Sequence, residues 1–84
     1  MNEERKRITE EILRLLEERG EGKTICPSEA VRRLYPDDWR DRMELCREAA
    51  AELADSGRIE IHQGGKTVDP RSHRGPTRLA LPGE

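Results

Sequence analysis

The chain has 84 residues, of which 32% are hydrophobic and 40% charged, with a formal net charge of −2. A chain this short buries only about 60% of the surface its unfolded form exposes, which leaves room for one thin core and argues against an enclosed substrate chamber. Composition alone leans towards disorder and the net charge argues against a generic nucleic-acid binder, yet the apolar residues recur at helical and strand spacings, which marks a folded domain.

Residues 3–19 predict a first helix. Ile8, Ile12, Leu15 and Leu16 fall at i, i+4, i+7 and i+8 with Leu13 beside them, while Glu and Arg fill the other face. The Glu10–Arg14 spacing adds i,i+4 support, and Gly20 supplies a stop. A very short strand follows at residues 23–25. Pro27 then suits the first position of a second helix over residues 27–35, where its missing N–H costs nothing. Glu29 falls at the third helical position and Cys26 at the cap; because Cys caps poorly, Ser28 is the alternative. Val31 and Leu34 face inward, and Pro36 ends the helix by pushing residue 35 out of helical geometry.

Residues 38–55 predict a third helix, capped by Asp37 or Asp38. Its inward stripe is Trp39, Met43, Cys46, Ala50 and Leu53, widened by Leu45 and Ala49, and Gly57 closes it. Trp39 and Tyr35 are the only aromatic residues and are expected to anchor the core or its boundary. Residues 58–63 alternate, with Ile59 and Ile61 on one face, and residues 77–81 do the same with Leu79 and Leu81. Between them, residues 64–76 form a turn and a basic loop. The order is helix, short strand, short helix, long helix, strand, basic loop, strand. That is the order of a winged helix-turn-helix: an α+β fold, one domain over residues 1–84, with three helices packed on a two- to three-stranded antiparallel sheet.

Three strings, GKTICPSEAVRRLYPDDWRDRM, GRIEIHQGGKTVDP and RGPTRLAL, resemble a family of small bacterial winged-helix-like domains of unknown function. The resemblance covers about residues 8–81. It rests on Cys26, Pro27, Ser28, Glu29, Asp38, Trp39, Arg40, Val68, Asp69, Pro70, Gly75, Pro76, Arg78 and Leu79. It implies the fold and leaves the activity open.

Charge is distributed unevenly. Residues 1–57 carry 11 Lys+Arg against 15 Asp+Glu, a net of −4, whereas residues 58–84 carry 5 against 3, a net of +2. In a helix-turn-helix the second helix of the pair enters the major groove. Here it would offer Arg40, Arg42 and Arg47, with the wing offering Lys66, Arg71, Arg74 and Arg78 to phosphates and His73 contributing less. Against this, Asp41, Glu44, Glu48 and Glu52 interleave with those arginines and oppose phosphate binding. Arg40 is equally suited to pairing with Asp37 or Asp41 within the fold. The same fold used as a protein-interaction or structural module is the competing expectation.

Other chemistries fit less well. Cys26, Cys46, His62 and His73 offer metal-ligand types, but nineteen residues separate the cysteines and ten the histidines, unlike the close pairs of zinc fingers. The GEGKT string at residues 20–24 lacks the first glycine of a phosphate loop, Glu17 standing in its place, and follows a helix rather than a strand. Cys26, Ser28 and Ser72 have no base and orienter evident in the sequence. The expectation is therefore a non-enzymatic module without cofactor or metal, possible partners being double-stranded DNA or a protein. No membrane span, a reducing cytoplasmic setting, and a monomer or a dimer through the first helix complete it.

Overall fold

A computed structural model describes residues 3–69 and 77–83. Among these, α1 spans Glu3–Arg19, β1 Thr24–Ile25, α2 Pro27–Leu34, α3 Met43–Asp55, β2 Glu60–Gln63, β3 Lys66–Thr67 and β4 Arg78–Ala80, with a 3₁₀ turn over Trp39–Arg42 before α3. Three helices pack on one face of a four-stranded antiparallel sheet in the order β1-β4-β2-β3. The fold is α+β, as the element order implies.

The core follows from the spacing. Ile8, Ile12, Leu15 and Leu16 of α1 are all buried, as are Cys46, Ala49, Ala50 and Leu53 of α3. The sheet adds a single apolar row. Ile25 on β1 sits opposite Leu79 on β4, which sits opposite Ile61 on β2, and all three face the helices fully buried. Strands of two to four residues present only one such row, so the helices supply most of the core. Glu11 is buried as well, its carboxylate held by Arg14. Arg14 also reaches Glu18, so the pairs along α1 are these two and not the expected Glu10–Arg14.

Local chemistry sets the breaks. Cys26 is the N-cap of α2 in extended geometry, and Pro27 takes the first helical position. The Glu29 carboxylate accepts the Cys26 N–H at 3.0 Å, satisfying a donor that the helix start leaves unpaired. Ser28 is therefore inside the helix and not its cap. The Arg58 N–H donates to Leu53 O at 2.9 Å and the Gly57 N–H to Ala54 O at 3.0 Å, the pair of bonds that ends a helix in a Schellman motif. Gly57 carries the positive φ of +77° that this closure needs.

Two segments differ from expectation. The predicted single helix over residues 38–55 begins as a 3₁₀ turn. After the Tyr35–Pro36 break, Asp38 N–H donates to Tyr35 O and Asp41 N–H to Asp38 O, both at 3.1 Å, and these i→i+3 bonds overwind the chain. A residue in 3₁₀ geometry advances about 120° rather than 100°, so Trp39 slips off the α3 stripe. Trp39 and Met43 are only partly buried, at the edge of the core. Asp38 holds the N-cap position, but its side chain makes no cap hydrogen bond.

The second difference is β3. Lys66 and Thr67, expected in a loop, pair with Gln63 and His62 across the Gly64–Gly65 turn. Both glycines have positive φ, +61° and +81°, as a two-residue type I′ hairpin turn requires. The Gly-Gly pair between two strands is the sequence signal for this hairpin, which turns an expected two- to three-stranded sheet into a four-stranded one. Strand ends also retreat, from 58–63 to Glu60–Gln63 and from 77–81 to Arg78–Ala80.

Candidate nucleic-acid interface

The expected contact residues do not all face solvent together. Arg42 turns into the fold: Nη2 reaches Glu4 of α1 at 2.8 Å, Nη1 lies 3.9 Å from Asp38, and the guanidinium stacks 4.4 Å from the Tyr35 ring centroid. Its bond to Glu4 holds it above the ordinary arginine value. Arg42 is thus a tie between α1 and the start of α3.

Arg47 is exposed and lies 3.4 Å from Glu44 one turn back. Glu44, Glu48, Glu52 and Asp55 are exposed on the same helix, so the outward side of α3 is acidic with one cation in it. Glu52 in turn pairs with Arg5 of α1.

On the sheet, Arg78 donates from Nε to Thr24 Oγ1 at 2.9 Å and from Nη2 to Thr24 O at 3.3 Å, strapping β4 to β1 across the outer face. Beside it His62 Nε2 lies 2.9 Å from Glu60 Oε1, and the Gly83 N–H donates to Glu60 Oε2 at 3.2 Å. These bonds, the His62 one foremost, keep the Glu60 carboxyl below its usual range. Lys66 is exposed on the β2–β3 hairpin. Arg71, His73 and Arg74 lie outside the described residues.

A basic cluster with an aromatic centre faces solvent among the described residues. Where α2 runs into the 3₁₀ turn, the Arg32 guanidinium lies 4.3 Å and the Arg40 guanidinium 4.7 Å from the centroid of the Trp39 ring. Arg32, Arg33 and Arg40 are exposed. Among the described residues, no carboxylate lies within 4.0 Å of any of the three. Arg40 therefore pairs with neither Asp37 nor Asp41; it lies over Trp39. Arg32 and Arg33 went unnoticed at the level of sequence. Their signal is two cations in the last turn of a short helix, six and seven residues before a lone tryptophan.

The thiols offer no comparable centre. Cys46 is buried, donates to Pro27 O at 3.2 Å, and is pushed by that burial up to about 12. Cys26 is partly exposed, 3.2 Å from Ser28 Oγ. Among the described residues, no group of three or more His, Cys, Asp or Glu side chains is placed to hold a metal ion. No helix among them is long and apolar enough to cross a membrane.

Fold and surface together define a small α+β domain with an inward-tied sheet, an acidic third helix and a basic aromatic corner. The chain belongs to the family described as a protein of unknown function, DUF3253, whose model matches residues 5–82, nearly the whole sequence. No curated protein matches it.

Proposed function

We propose that the chain is a non-enzymatic winged-helix module whose partner is duplex DNA. The observation that carries this reading is the strand order. β1 and β2 flank β4, and the chain reaches β4 only after the β2–β3 hairpin and the connection that follows it. The α2 and α3 pair lies between β1 and β2 in sequence, an order that supports reading the helix pair and the segment after β3 as a helix-turn-helix and its wing. The wing segment holds Lys66, Arg71 and Arg74, and the helix pair adds Arg40 with Arg32 and Arg33. Arg42, Arg47 and Arg78, occupied by Glu4, Glu44 and Thr24, are left to hold the fold or its surface.

The test is a titration of the full chain with duplex DNA at rising salt. Binding that weakens steeply with salt supports the reading, since affinity gained by displacing counterions is lost that way. No binding at low salt would sink it. A second reading, docking of a basic protein surface, is favoured by the acidic outer side of α3 at Glu44, Glu48 and Glu52, and takes over in that event.

A further inference from the structure

We propose that the corner between α2 and the 3₁₀ turn, with the guanidiniums of Arg32 and Arg40 stacked on Trp39, is a phosphate grip by which the domain holds the DNA backbone without reading bases through α3. The inference rests on the DNA reading above and specifies its mode.

The geometry supplies the grip. A guanidinium lying on an aromatic ring offers its face to the π-cloud and keeps its N–H donors in plane at the edge, free for the oxygens of an anion. Both arginines hold their guanidinium carbon over one indole, 4.3 and 4.7 Å from its centroid, so their charges are at most 9.0 Å apart. That is inside the Debye length of about 10 Å at 0.1 M salt, so the two repel when alone and act jointly on an anion. Elsewhere this chain pairs its arginines readily: Arg5, Arg14, Arg19, Arg42 and Arg47 all have carboxylate partners. Among the described residues Arg32, Arg33 and Arg40 have none within 4.0 Å, and neither do Arg7, Arg58 and Arg78; what sets this corner apart is that two of its cations lie over one indole.

The other half concerns α3. A helix that reads base edges presents donors and cations to the groove, whose walls are phosphates. The outer side of α3 presents Glu44, Glu48, Glu52 and Asp55, and its Arg47 is held by Glu44. Such a face is repelled by the phosphate walls of the groove, which leaves shape and backbone as what is recognised. Asp37 and Asp41, exposed in the same corner, limit its strength.

Trp39 is the only tryptophan, so its fluorescence reports this corner directly. The experiment titrates the full chain with two duplexes of equal length and unrelated sequence, followed by Trp39 emission and by anisotropy of an end-labelled duplex. Expected are affinities for the two duplexes within about threefold, an emission change that tracks the anisotropy, and a salt slope of roughly −2 to −3 for two or three phosphates. Replacing both arginines, R32A with R40A, is expected to weaken both duplexes alike and to make the slope shallower by about 2, while R47A changes neither. Arg32 and Arg40 are exposed, and melting curves of the single variants R32A and R40A guard against misfolding. D37N with D41N is expected to tighten binding. Binding that survives R32A with R40A, or a silent Trp39, overturns the grip and spares the DNA reading. A preference above about a hundredfold for one duplex overturns the backbone-only mode. No binding of either duplex at low salt overturns both.

Discussion

Glu29 is where sequence, fold and electrostatics meet, and Glu29→Gln isolates its charge. The carboxylate takes the Cys26 N–H at 3.0 Å on Oε2 and Arg19 Nη2 at 2.5 Å on Oε1, joining the start of α2 to the end of α1. The amide keeps the shape and an acceptor for Cys26 but loses the charge that Arg19 answers. That bond to Arg19, aided by the Cys26 N–H, holds the Glu29 carboxyl below its ordinary value. A carboxylate depressed in the folded state adds stability above the unfolded value of about 4.3, and loses it as pH falls through the lower, folded value. The side chain is 30% exposed, so water screens part of the effect and about 1 kcal/mol is expected. For a domain of this size that corresponds to roughly 4–8 °C in Tm. Thermal melts by circular dichroism should therefore show Glu29→Gln below the parent at neutral pH. The gap should close once both are well below the carboxylate range. Equal Tm values at neutral pH, or a gap unchanged in acid, would refute the reasoning. Glu29→Ala should add about 1 kcal/mol at every pH, because the Cys26 N–H then has no partner.

Two further predictions test the core and the thiols. Leu79→Ala should cost about 2–5 kcal/mol, because Leu79 sits at the centre of the apolar row and is 1% exposed, whereas Trp39→Ala, at the core's edge, should cost less than about 3 kcal/mol; chemical denaturation that ranks them the other way contradicts the packing. A thiol reagent should label Cys26 in the native chain at neutral pH and Cys46 only after unfolding, since burial keeps Cys46 protonated up to about 12; simultaneous labelling of both would show that α3 opens readily.

Much of this architecture is legible before any coordinates. The α1 stripe at Ile8, Ile12, Leu15 and Leu16 is buried as its spacing implies. Pro27 and Glu29 open α2, the Tyr35–Pro36 step ends it, and Gly57 ends α3. These are local matters: a helix is drawn by hydrogen bonds four residues apart, and a stop by one residue's φ. The family resemblance, carried by the DWR and VDP strings among others, also holds over residues 5–82.

What the sequence by itself determined is therefore the three helices, the strands around residues 24–25, 60–63 and 78–80, their order, and most of the faces they bury, but neither β3 nor the 3₁₀ turn. The tertiary structure decided what the charged and aromatic side chains do. Arg42 looked like a DNA contact on a helix wheel, but its partner Glu4 is 38 residues away and meets it only because α1 packs across the start of α3. Arg78, expected as a wing cation, is exposed on β4, where β1–β4 pairing brings it to Thr24, 54 residues earlier. Trp39 lay on the predicted stripe until i→i+3 bonds after Pro36 turned it outward, to where Arg32 and Arg40 stack on it. Periodicity records which residues leave water. Which of those remaining are spent on one another depends on distances that exist only once the helices and strands have packed.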